Sequence, residues 1–172
     1  VCDRAIENTK ALIEQGCSII VVACNTATAC AIDVLRERFP EIGFVGMEPA
    51  IKPAALKTKS GVVGVLATRG TFKGRLFQST SAKHASKITV LEAIGEGFVD
   101  LVEQGKINTL EARECVAKVV NPLVEQGADC LVLGCTHYPF LKSLIQEVAG
   151  ADVCIVDPSE AVARQIRRLW EK

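Results

Sequence analysis

Aromatic residues are scarce in this 172-residue chain: one Trp, one Tyr and six Phe. An excess of either charge is missing too, because twenty Lys and Arg balance twenty Asp and Glu. With no basic run, there is no electrostatic footprint for nucleic acid or an anionic membrane surface, and neither partner is expected. Apolar runs such as IIVVAC and CLVLGC are short, far from the roughly 20 residues of a membrane helix. No signal-peptide pattern is visible. The Gly-x-x-x-x-Gly-Lys-Ser/Thr and Gly-x-Gly-x-x-Gly patterns are both absent, so a nucleotide cofactor is not indicated. Cys-x-x-Cys is absent as well, which argues against a thiol–disulfide enzyme. The first residue is Val1 rather than Met, and the chain opens in a helical pattern with no strand before it. We therefore expect a piece of a longer protein.

What is present is apolar residues and thiols. Hydrophobic residues make up 49% of the chain and its mean hydropathy is +0.27. That is enough for one sizeable domain or two small lobes. The eight cysteines are residues 2, 17, 24, 30, 115, 130, 135 and 154. Cys130 and Cys154 fall inside strand-like apolar runs, where reduced Cys is a common core residue. The composition is not that of a loop-rich disulfide scaffold, so free thiols in a reducing cytoplasm are expected.

Helical and strand patterns alternate. Strands are expected at 19–23, 44–45, 62–67, 89–93, 131–133 and 153–156. Helices are expected at 3–15, 27–39, 51–56, 72–85, 97–104, 109–126, 139–148 and 159–170, with Ser159 capping the last. Such alternation predicts an α/β fold of two similar lobes, each a mainly parallel sheet flanked by helices, the first lobe incomplete. Residues 1–46 are assigned to part of the first lobe, 47–150 to the second, and 151–172 to a return to the first.

One unit is written twice. LIEQGCSIIVVAC and LVEQGADCLVLGC each run from a helix end through a buried strand to a cysteine. Segments 12–28 and 123–139 share six identities at a constant offset of 111. A third LVEQG, at 101–105, leads to no such cysteine. In parallel sheets chemistry gathers where strand carboxyl ends meet helix amino ends, and Cys24 and Cys135 both lie at such junctions. A helix dipole lowers a thiol's pKa and makes it a usable base or nucleophile. Asn25, Thr26 and Thr28 follow the first cysteine, and Thr136 and His137 the second; these donors suit a carboxylate. A third turn, ATRGT, offers Thr68 and Thr71. Two thiols facing one another across a cleft suit inversion of a stereocentre: one removes a proton and the other returns one on the opposite face. Cys130, Cys135 and His137 supply zinc-ligand types, but the usual paired spacing is absent and Cys130 should point into a sheet face, so no metal is expected.

VVACNTATA (21–29) and LGCTHYP (133–139) resemble the two cysteine motifs of the glutamate racemase family, within the aspartate/glutamate racemase superfamily. GVLATRGT and LVEQGK, between them, extend the resemblance over nearly the whole chain. It implies a cofactor-independent amino-acid racemase of two α/β lobes that makes D-glutamate for peptidoglycan, with glutamate as its small-molecule partner and a homodimer as its possible assembly. Cys24 and Cys135 would be the acid/base pair, with Glu103 and His137 assisting. Asn25, Thr26, Thr68, Thr71, Thr136 and His137 would line the substrate site. Aspartate or hydantoin racemase is the alternative within the superfamily. The family's opening Asp-Ser-Gly-x-Gly-Gly loop has no counterpart in this sequence, so a non-catalytic binding module is the alternative from another class.

Overall fold

The computed structural model describes residues 1–84 and 87–171, excluding the side chains of Leu76 and His84. Two parallel sheets are formed. The chain begins with α1 (Cys2–Glu14), β1 (Ile19–Val22), α2 (Asn25–Arg38) and β2 (Gly43–Gly46). It continues with α3 (Ile51–Lys57), β3 (Val62–Ala67), α4 (Arg69–Phe72), α5 (Arg75–His84) and β4 (Thr89–Ile94). Then come α6 (Phe98–Glu103), α7 (Leu110–Glu125) and β5 (Cys130–Gly134). A 3-10 turn (Tyr138–Leu141), α8 (Lys142–Ala149), β6 (Cys154–Val156) and α9 (Ser159–Trp170) complete it.

β1 pairs with β2, and the other four strands take the order β4-β3-β5-β6, every pairing parallel. β3 and β5 are central, and Val63, Val65, Leu66, Leu131, Val132 and Leu133 have no exposed surface. Strand period sorts these residues by face. Leu66, Leu131 and Leu133 meet Phe98, Val116, Val120 and Ile145 from α6, α7 and α8. Val63, Val65, Cys130 and Val132 meet Ile51, Ala54 and Phe77 from α3 and α5. A third, smaller core joins Ile20 and Phe44 to Ala31, Ile32 and Leu35 of α2.

The word repeated in the sequence is a helix stop. Gly16, Gly105 and Gly127 have φ of 85°, 67° and 90°. After each, the next N–H reaches back five residues: Cys17 to the Leu12 carbonyl (3.1 Å), Lys106 to Leu101 (2.8 Å), Ala128 to Leu123 (3.0 Å). This is the Schellman arrangement, whose left-handed residue favours Gly.

Three expectations are revised. Ser159 is the first residue of α9 rather than its cap; its N–H donates to the Asp157 carboxylate at 2.9 Å. The helix expected over 139–148 splits into a 3-10 turn and α8, because Pro139 falls in the opening turn. The stretch expected as one helix over 72–85 is α5 from Arg75, preceded by the short α4 ending at Phe72; Ala85 lies outside the described residues. β6 extends the four-stranded sheet, while α9 lies against β1 and β2. The chain thus passes between the sheets twice, through residues 47–50 and 157–158. Among the described residues no helix is long and apolar enough to cross a membrane.

Candidate active site

Cys24 follows β1 and is the N-cap of α2, in extended conformation, with its sulfur accepting the Ala27 N–H at 3.5 Å. A thiol thus occupies the place of the usual hydroxyl or carboxylate cap and sees the positive end of the helix dipole. Asn25, the first residue of α2, is 3% exposed, and neither its amide nitrogen nor its amide oxygen has a protein partner. An unsatisfied buried amide is expensive, and a polar ligand at this place would relieve it.

Thr26 points across to the end of β3. Its hydroxyl lies 2.7 Å from that of Thr68 and 3.3 Å from that of Thr71, and the last two are 3.2 Å apart. Three hydroxyls from the two lobes therefore share one spot. Gly70 is required there, since a Cβ at that position would stand 2.6 Å from Thr26 Cγ2. Thr28, offered by the sequence as a further ligand donor, is already occupied. Its hydroxyl donates to the Val22 carbonyl and accepts the Met47 N–H, both at 3.0 Å. That bond ties the ends of β1 and β2 beneath Cys24.

Cys135 lies just beyond β5, and its side chain is half-buried. A 3-10 turn follows it rather than an α-helix, so the N–H groups of His137 and Tyr138 serve its sulfur in place of a full helix dipole. Burial pushes the Cys135 thiol up from its ordinary pKa, the His137 N–H pulls it down, and the charge of Cys24 pushes it up again. The two cysteines are therefore within electrostatic reach across the gap between the sheets. Beneath them Tyr138 is 1% exposed, packs edge-on against Phe98 at 5.1 Å and donates to the Gly95 carbonyl at 3.4 Å.

Glu103 and His137 meet beside this thiol. His137 Nε2 is 2.5 Å from Glu103 Oε1, and its Nδ1 is 3.8 Å from Cys135 Sγ. The two ring nitrogens of His137 therefore bridge the Glu103 carboxylate and the Cys135 thiol. A cavity of about 610 Å³ opens beside the pair, lined by Val102, Thr136 and Phe140 among others. Among the described residues no three His, Cys, Asp or Glu side chains gather as a metal site. The sequence reading missed the use of Thr28 and the close approach at Gly70; the Gly in ATRGT was the only local sign of either.

The family model for Asp/Glu/Hydantoin racemase matches residues 2–166. A glutamate racemase of Herpetosiphon aurantiacus is 53% identical over 161 residues, covering 94% of this chain and 63% of the relative. One from Ectopseudomonas mendocina is 47% identical, covering 97% and 64%. Among solved structures, Escherichia coli glutamate racemase in complex with L-glutamate and the activator UDP-MurNAc-ala superposes with a TM-score of 0.88 at 33% identity. That match takes in 99% of this chain and 65% of the other. The chain thus spans a little under two thirds of the length of these relatives. From its motifs, its paired parallel sheets and this similarity, the chain belongs to the Asp/Glu/Hydantoin racemase family.

Proposed function

We propose that this chain carries the two-thiol centre of a glutamate racemase that needs no cofactor, works in the cytoplasm and supplies D-glutamate for peptidoglycan. The observation that carries the reading is the pair of strand-end thiols, Cys24 and Cys135, on two different sheets, with the charge of Cys24 reaching Cys135 and an unpartnered buried amide beside the first. Glutamate binds with its α-carboxylate at Asn25, Thr26, Thr68 and Thr71, and with Thr136 and His137 on the opposite side. In one direction the Cys24 thiolate removes the α-proton while Cys135, kept protonated chiefly by burial, donates to the other face. In the reverse direction the roles exchange. The charge of Cys24 adds to burial in holding the proton on Cys135. His137, aligned by Glu103, receives and returns the Cys135 proton. The named relatives and the glutamate in the Escherichia coli complex support the choice of substrate. A homodimer belongs to the same reading, and sedimentation would test it.

The test is α-proton exchange. Incubation with L-glutamate in D2O, without pyridoxal phosphate, should give D-glutamate carrying solvent deuterium. Cys24→Ala and Cys135→Ala should each lower racemisation by at least about 10²-fold, the low end for a positioned acid or base. Full activity in either single variant removes the two-base scheme. The open groove of about 460 Å³ along α1 and β1 is lined by Cys24 but not by Cys135, which favours a second reading, a module that binds the amino acid without turning it over. Calorimetry separates the two: binding of D- and L-glutamate without deuterium exchange selects the second.

A further inference from the structure

We propose that Cys130 and Cys154 form a dithiol site that a low-molecular-weight disulfide, of the glutathione type, closes into a covalent link between β5 and β6. The two residues begin adjacent parallel strands and are direct register partners. Partners in register project to the same face of a sheet, and both pack into the core formed with α3 and α5. Neighbouring strands run about 4.8 Å apart, inside the roughly 4.4–6.8 Å between Cα atoms that a disulfide spans. The thiols are near enough to act on each other: burial, then the charge of Cys154, raises Cys130 to about 12. The racemase chemistry uses neither sulfur. Cys135 lies at the other end of the same strand.

Unequal burial sets the order of events. Cys130 is 1% exposed, whereas Cys154 is only half-buried. Cys154, as thiolate, therefore attacks the small disulfide first and releases one small thiolate. Cys130 then gives up its proton to solvent and attacks the Cys154 sulfur, expelling the second small thiolate. The two protein thiols lose two electrons and two protons, and the small disulfide becomes two thiols. Because Cys130 holds its proton tightly, the closing step should speed up with pH well beyond neutrality.

The experiment treats the folded chain with glutathione disulfide at pH 7 and pH 9, blocks free thiols in denaturant and digests with trypsin. Cys130 falls in the peptide 119–142, together with Cys135, and Cys154 in the peptide 143–164. Expected are a linked 119–142/143–164 pair and faster closure at pH 9. The link should vanish in Cys130→Val and in Cys154→Ser. Chymotryptic cleavage after Leu131 or Leu133 separates Cys130 from Cys135 in the unmodified chain, so assignment does not depend on a variant folding. A link that survives Cys130→Val, one that maps to Cys135, one formed only after denaturation, or no link at all overturns the proposal.

Discussion

Thr28 shows how much one hydroxyl can hold. It donates to the end of β1 and accepts from Met47, just past β2, and it is 1% exposed. Thr28→Val keeps the shape and leaves the Met47 N–H without its partner, at a cost of about 1–3 kcal/mol. Urea denaturation should show that loss, and Thr28→Ser should recover most of it. Cys135 gives a second prediction at this scale. Burial raises its pKa, so its alkylation by iodoacetamide should need a higher pH than a free thiol, with the rate midpoint above about 8.5. A midpoint below that value would contradict the burial observed. The strand-end places of Cys24 and Cys135 were legible in the sequence because each ends a short apolar run and precedes small donors. The bond of Thr28 to Met47 and the meeting of the Thr26 hydroxyl with those of Thr68 and Thr71 were not, since each depends on a partner at least nineteen residues distant that only folding brings near.

Elements were read more accurately than contacts. β3 was expected over 62–67 and is found there, because a six-residue apolar run buried on both faces leaves little ambiguity. The short α4 and the 3-10 turn were missed, as four-residue turns carry no periodicity. One loop owes its shape to a single carboxylate. Asp129 accepts the Thr58 hydroxyl at 2.5 Å and the N–H groups of Lys59 and Ser60 at 2.7 and 2.9 Å. Desolvation works to raise its pKa, but these hydrogen bonds prevail and hold it at about 2. The folded value lies below the unfolded one of about 3.9. Its stabilisation is therefore complete above about pH 4 and is lost as pH falls through 2. The melting-temperature gap between the unmodified chain and Asp129→Asn should be constant near neutrality and close over that acid window. Packing gives another test. A Cβ at Gly64 would sit 2.6 Å from Leu131 Cδ2 and 3.0 Å from Leu123 Cδ1. Gly64→Ala should cost about 1–3 kcal/mol by overpacking β3, read from the denaturation midpoint.

The two sheets are unequal partners. The four-stranded sheet has large cores on both faces, whereas β1 and β2 rest on a small cluster and α9. Local stability follows buried contact, so amides at 19–22 and 43–46 should exchange with deuterium faster than those at 63–66 and 130–133. Equal protection would mean that the chain opens as one unit. Cys24 rides on the weaker body and Cys135 on the stronger, and among the described residues the polypeptide joins these bodies only through 47–50 and 157–158. Pro49 and Pro158 stiffen those two short straps. On the proposed two-thiol scheme, the spacing of the two sulfurs is thus set by these straps, and loosening either would slow inversion without altering either cysteine.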